Sequence, residues 1–320
     1  MGSRYPFPSV PDGWFSICAS DDLATGQPAT FEYLNHELVA FRAGDGRVRV
    51  FDAYCPHLGA HLGYGGRVCD DGIVCPFHGW RFDGTGRLVE VPRLEGRPPP
   101  ISAATWETCE RNGRVFIWHH AGASPPSYEL AGHRDDGAMW TPWRVDAYRV
   151  RIGLQDLTEN IIDRSHFYSV HDMVPPEDDT FDVAFDGPRM VVDQNVKVTA
   201  LSEAGFEVTT RTTVTGPGVV AVEVREGGLD MLTYITQTPV DDEITEITIH
   251  FSMKALDDEQ ATASVAELNA KVTNLQFTQD VPIWEHKIYR ERPPLTKVDG
   301  PIAQYRRWFR QFYSDWQPSA

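Results

Sequence analysis

The chain has 320 residues, 41% of them hydrophobic and 23% charged, with a net charge of −17. That acidic balance argues against a nucleic-acid or anionic-membrane partner, and no run approaches the ~18 uninterrupted apolar residues of a membrane span. The start, Met1-Gly-Ser-Arg4-Tyr-Pro-Phe-Pro8, has no apolar export region, so a cytoplasmic protein with reduced thiols is expected.

Residues 30–120 read as short strands separated by tight turns. Apolar runs at Leu38-Val-Ala-Phe41, Val48-Arg-Val-Phe51, Ile73-Val74 and Val115-Phe-Ile-Trp118 alternate with turns such as Gly44-Asp45-Gly46 and Asp70-Asp71-Gly72. That pattern predicts an all-β module, and Ala121-Gly-Ala-Ser-Pro-Pro126 is the linker candidate. Beyond it, residues 145–152 suggest a strand and 153–171 a helix. Runs rich in Val, Ile and Thr at 181–198, 206–214, 218–226, 230–239 and 244–254 predict a twisted antiparallel sheet. A last helical stretch begins near Asp257, runs past Tyr289 and precedes Arg292-Pro-Pro294. A sheet followed by a long helix makes the predicted fold class α+β.

The β module carries two clips, Cys55-Pro-His57-Leu58-Gly59-Ala60 and Cys75-Pro-Phe-His78-Gly79-Trp80. One cysteine and one histidine per clip is the ligand set of a Rieske [2Fe–2S] centre, in which two His replace two Cys on one iron. A structural zinc site is the competing reading. Zinc pairs usually stand two to four residues apart, however, and the first clip is C-x-H. Five cysteines, an odd number, do not suggest a disulfide framework. Cys18, Cys69 and Cys109 lack ligand spacing and read as packed thiols.

Residues 1–120 balance to −3 and residues 121–320 to −14. A solvated acidic surface explains the second figure. The alternative is that the less acidic module offers Arg47, Arg67, Arg81 or Arg87 to an acidic redox donor.

The first helical stretch holds Asp163-Arg-Ser-His166-Phe-Tyr-Ser-Val-His171. Two histidines and a carboxylate with open positions form the facial triad of non-haem Fe(II) sites. Five residues on a straight helix rotate by about 500°, leaving the two imidazoles about 140° apart. They share a metal only if the helix ends or bulges between them. The third ligand stays open at this level, since Asp172, Asp178, Asp179 and Asp280 are all candidates. A helix would put Gln276, Asp280 and Trp284 on one face.

The two clips, free of additional cysteines, with Asp163-x-x-His166-x4-His171 downstream, resemble the Rieske non-haem iron oxygenases. Arg4-Tyr-Pro-Phe-Pro8, Asp280-x-x-Ile283-Trp284-x-x-Lys287 and Asp299-Gly-Pro301 through Tyr313 are similar to the 3-ketosteroid 9-alpha-hydroxylase and cholesterol-desaturase-like branch. The resemblance covers nearly the whole chain. It implies a Rieske domain over residues 1–122 and a helix-grip-like catalytic domain with a mononuclear iron over residues 123–320. Cys55 and Cys75 would bind the inner cluster iron, and His57 and His78 the outer one. His166, His171 and Asp280 would hold Fe(II). Asp163 would bridge the cluster of one subunit to the iron of the next, through His78 and His166, and Asn160 would lie near that iron. The implied activity is O2-dependent hydroxylation of a polycyclic, steroid-like or natural-product substrate by a homotrimer. Electrons would come from NAD(P)H through a separate reductase or ferredoxin. A desaturase or demethylase of the same family, an electron carrier and a zinc-stabilised binding protein are the rival readings.

Overall fold

Runs such as Val48-Arg-Val-Phe51 place β-branched and aromatic residues between turns, which favours extended chain over helix. The computed structural model of the chain describes residues 4–134, 139–174, 176, 179–198, 206–226 and 229–316. Residues 14–129 form one compact unit, and residues 1–13 with 130–320 form another. The N-terminal segment therefore belongs, by its contacts, with the second unit.

The first unit is built from short strands. They are β1 (Gly13–Ala19), β2 (Pro28–Tyr33), β3 (His36–Arg42), β4 (Val48–Asp52), β5 (Arg67–Cys69), β6 (Gly72–Val74), β7 (Arg81–Phe82), β8 (Leu88–Glu90), β9 (Thr105–Trp106), β10 (Thr108–Arg111) and β11 (Arg114–His119). They pair as three small sheets in the orders β1-β11-β10, β2-β3-β4-β9 and β5-β6-β7-β8. Phe41, Phe51, Leu62, Ile73 and Phe82 form a core that also contains Cys55 and Cys75. The second clip is the β6–β7 loop, and the first lies between β4 and β5.

The second unit is a sheet of seven antiparallel strands in the order β12-β18-β17-β16-β15-β14-β13. The strands are β12 (Arg144–Val150), β13 (Phe181–Asp186), β14 (Arg189–Val198), β15 (Phe206–Thr215), β16 (Val219–Glu226), β17 (Leu229–Pro239) and β18 (Thr245–Met253). The stretch 181–198, expected as one strand, is a hairpin. Gly187 turns the chain at φ +52°, in the region that favours glycine.

The helix expected over 153–171 is three pieces: α1 (Leu154–Glu159), a 3-10 turn (Asn160–Ile162) and α2 (Arg164–Ser169). Asp163 leaves helical geometry at ψ 94°, and its carboxylate accepts from Ser165 N to cap α2. The long helix is α3 (Glu259–His286), capped by Asp258, and the basic, aromatic C-terminal segment adds α4 (Ile302–Phe309). On α3, Asn274 accepts from the Tyr148 hydroxyl at 2.6 Å and donates to Asp146 at 2.9 Å, which ties the helix to the edge strand β12. None of the described helices is long and apolar enough to cross a membrane.

Candidate active site

The two clips fold as the same turn. Gly59 N donates to Cys55 O at 3.0 Å, and Gly79 N donates to Cys75 O at 3.1 Å. Cys55 N donates to Ala60 O and Cys75 N to Trp80 O, and both glycines sit at φ +72°. The histidine is the second residue after the cysteine in one clip and the third in the other. Both thiols are buried and belong to the core, whereas His57 is half-buried and His78 exposed. The imidazoles meet at 4.7 Å between ring centroids, and Trp80 stacks on His57 at 4.1 Å. Burial pushes the Cys55 thiol up to about 11, and a metal ligand must lose that proton on binding. The donor set, two buried sulfurs and two more exposed imidazoles, fits a Rieske cluster. Burial also raises Cys18 to about 12 and Cys109 to about 11, which suits inert packed thiols.

Arg81, one of the arginines considered for a redox partner, faces Asp70 and Glu90, each at 3.1 Å, and Arg87 faces Asp83 at 3.4 Å. These two guanidiniums already have carboxylate partners.

The second centre forms where α1, α2 and α3 converge. Helix α2 ends at Ser169, so His171 escapes the geometry of a straight helix and turns beside His166, with ring centroids 5.1 Å apart. Asp280 joins them from α3. The ligating atoms of His166, His171 and Asp280 lie within 4.8 Å of one another, and all three residues are buried. His171 Nε2 stands 3.3 Å from Asp280 Oδ2.

The outer nitrogens are held as well. His166 Nδ1 donates to the backbone oxygen of Asp163, and His171 Nδ1 donates to Gln279 Oε1 at 3.0 Å. These acceptors place the protons on Nδ1 and turn both Nε2 atoms toward Asp280, the usual arrangement behind a metal-binding imidazole. Burial lowers the His166 pKa. Burial also pulls His171 down, but Asp280 and Gln279 together lift it above its ordinary value. Two imidazoles and one carboxylate on three elements fit one non-haem iron.

Asn160 lies inside this group. Its Nδ2 donates to Asp280 Oδ2 and stands within hydrogen-bond reach of His166 Nε2, both at 3.0 Å. Asp163 touches His166 through its main-chain oxygen, while its carboxylate caps α2. Arg164 pairs with Asp179 rather than with Asp163. Asp178 lies outside the described residues.

The C-terminal segment braces the ligands. Ser165 Oγ donates to Val298 O at 2.9 Å, and Gly300, at φ +75°, packs so closely that a Cβ would sit 2.1 Å from Ile162 O. Arg306 makes two bonds to the buried Glu159 of α1, at 2.5 and 2.8 Å. Arg4 donates to the carbonyls of Trp284 and Lys287 at the end of α3, and Lys287 faces Asp156 at 3.4 Å. Gly300→Ala should lower stability by more than about 1 kcal/mol, since alanine resists this φ and its methyl group displaces the Ile162 carbonyl. Chemical denaturation reads that loss.

Sequence reasoning did not find Gln279. Its only signal is adjacency to Asp280; the partner it holds is 108 residues away. Gln279→Leu should weaken iron retention about tenfold by leaving the His171 N–H without an acceptor, and Gln279→Glu should restore it. A chelator titration measures both.

A cavity of about 530 Å³ opens beside the triad, between α3 and the sheet. Its walls are mostly apolar and include Leu157, Phe167, Val222, Ile235 and Trp284. A volume of this size suits a small organic molecule.

Known proteins match both units. The model of the Rieske [2Fe-2S] domain matches residues 13–106, and that of the 3-ketosteroid 9alpha-hydroxylase C-terminal domain matches residues 117–313. A 3-ketosteroid-9-alpha-monooxygenase oxygenase component of Rhodococcus rhodochrous is 30% identical, covering 95% of this chain and 81% of its own. A cholesterol 7-desaturase of Caenorhabditis elegans is 32% identical, covering 97% and 78%. The solved structure of NdmA from Pseudomonas putida CBB5 with caffeine is 22% identical and covers 93% of this chain and 89% of that one. Its TM-score of 0.70 shows a shared fold. With the two sequence relatives and both domain matches, the chain belongs to the Rieske non-haem iron oxygenases, in the 3-ketosteroid 9-alpha-hydroxylase branch, and is an O2-dependent oxidoreductase of the kind that uses a Rieske [2Fe–2S] cluster and a mononuclear iron.

Proposed function

We propose that this chain is the oxygenase component of a system that oxidises a C–H bond of a polycyclic, steroid-like or natural-product substrate. The observation that carries the proposal is the buried triad facing an apolar cavity of about 530 Å³. The two sequence relatives are named for a 3-ketosteroid and for cholesterol. That supports the substrate class.

His166, His171 and Asp280 are assigned to the mononuclear iron. Cys55 and Cys75 are assigned to the inner cluster iron, and His57 and His78 to the outer one. The iron, when bound, supplies reductive activation of O2. The chain's own residues do the rest. Asp163 O and Gln279 hold the two imidazoles in orientation. Asn160 donates to Asp280 Oδ2, the oxygen that also faces His171 Nε2, and so holds the carboxylate beside both imidazoles. Leu157, Phe167, Ile235 and Trp284 exclude water and hold the ring system against the triad.

We place the domain division after residue 122, with the cluster domain in 1–122, apart from the N-terminal segment that packs with the second unit, and the iron domain in 123–320. Electrons are supplied by a separate NAD(P)H-dependent reductase or ferredoxin. The assembly is a homotrimer in the cytoplasm, in which Asp163 links the partner subunit's His78 to His166. A panel of polycyclic compounds, screened for substrate-dependent O2 uptake with a surrogate reductase, tests the substrate class. Uptake no faster than the substrate-free background across the panel would sink it. Hydroxylation, desaturation and demethylation share this donor set, and isotopically labelled O2 separates hydroxylation from the others by label in the product.

A further inference from the structure

The cavity wall formed by the sheet follows from strand register. On β15 the odd residues point away from the cavity: Thr209 donates to Asn195 at 3.0 Å, and Arg211 pairs with Asp193 at 2.7 and 2.8 Å. The even residues Val208, Thr210 and Thr212 line it. Thr210 stands opposite Gln194 of β14 on one side and Val224 of β16 on the other. Directly opposed residues of one face lie within side-chain reach of each other, and Gln194 lines the same cavity.

Thr210 is only 8% exposed, and its Oγ1 has no hydrogen-bond partner among the described residues. Two other buried threonines of this unit have partners: Thr158 donates to Gln237 at 3.1 Å, and Thr245 donates to Ile152 O at 2.6 Å. A buried hydroxyl without a partner is unfavourable and calls for an explanation. Packing supplies none. Val208, Val222 and Val224 line the surrounding wall, and valine has the shape of threonine without the hydroxyl. The oxygen is therefore surplus to the fold; it is occluded in this rotamer, and a staggered rotation about χ1 is the movement that would bring it into the cavity its residue lines.

We propose that Thr210, with Gln194 beside it, is a hydrogen-bonding subsite that reads a carbonyl or hydroxyl oxygen carried by the substrate's ring system. This rests on the reading of the cavity as the pocket for a polycyclic compound. Thr210 is a specificity residue. It touches the substrate away from the chemistry assigned to the triad.

The test is Thr210→Val, in two measurements on the iron-loaded enzyme. The first needs no ligand. Removing a surplus hydroxyl should leave Tm unchanged or raise it by about 2–4 °C. A lower Tm would mean that the hydroxyl serves the fold, and would overturn the proposal. The second is anaerobic calorimetric titration with androstane and with a set of androstanes bearing one ketone or hydroxyl at different ring positions. In the wild type, at least one oxygenated member should bind about 5–10-fold more tightly than androstane. Thr210→Val should remove that advantage and leave androstane unaffected. If every member changes in the same proportion as androstane, the subsite does not exist. If neither androstane nor any derivative binds the wild type, the polycyclic reading fails and the subsite falls with it, whatever the thermal result.

Discussion

Asp280→Ala should abolish turnover and leave the cluster's absorption and EPR signal intact. Asp280 supplies the anionic member of the triad, is 6% exposed, and stands 3.3 Å from His171 Nε2. Alanine leaves two neutral imidazoles in an apolar wall, a poor site for a hard divalent ion. Iron should fall from about three to about two per chain, the latter being the cluster alone, and turnover should fall by about 10³-fold or more as one ligand of the facial triad is lost. Asp179, a nearby alternative, is engaged with Arg164 and offers no rescue. Iron analysis decides the matter. A variant that keeps its third iron would show that Asp280 is not a ligand.

Asp163→Asn should slow electron delivery without unfolding α2. Asparagine caps a helix as well as aspartate does, so the bond to Ser165 N at 3.2 Å is preserved. The bond from His166 Nδ1 goes to the main chain and survives any side-chain change. Only the carboxylate charge is lost, and with it the link proposed between the partner subunit's His78 and His166. Cluster reoxidation, followed by stopped flow after mixing reduced enzyme with substrate and O2, should slow by about 10–100-fold, the usual cost of losing a group that supports a metal ligand. Tm should stay at the wild-type value. Reoxidation at the wild-type rate would remove Asp163 from the electron path.

Local chemistry was readable from the sequence, and distant contacts were not. The clips need only a few consecutive residues and a glycine at positive φ, so Cys55, His57, Cys75 and His78 stand out in the chain. His166 and His171 posed a geometric problem on a continuous helix, and the structure resolves it by ending α2 at Ser169. The helical spacing of Gln276, Asp280 and Trp284 placed all three on the cavity wall. The β13–β14 hairpin was hidden because Gly187-Pro188 interrupts the apolar run for only two residues. Gln279 carries no local pattern, and the Asp299-Gly-Pro301 motif does not reveal what Gly300 packs against. Their importance comes from His171 and Ile162, which chain topology brings to them.

The brace around the triad also orders events in time. The last residue proposed for the cluster is His78, while the last triad residue is Asp280 and its support extends to Gly300 and Arg306. A ribosome therefore completes every ligand for electron entry long before it completes the place where O2 is handled. A chain broken off before Asp280 would carry all four residues proposed for the cluster and lack the third residue of the triad. Synthesis from the N-terminus thus supplies the residues of the two sites in the order in which electrons would use them.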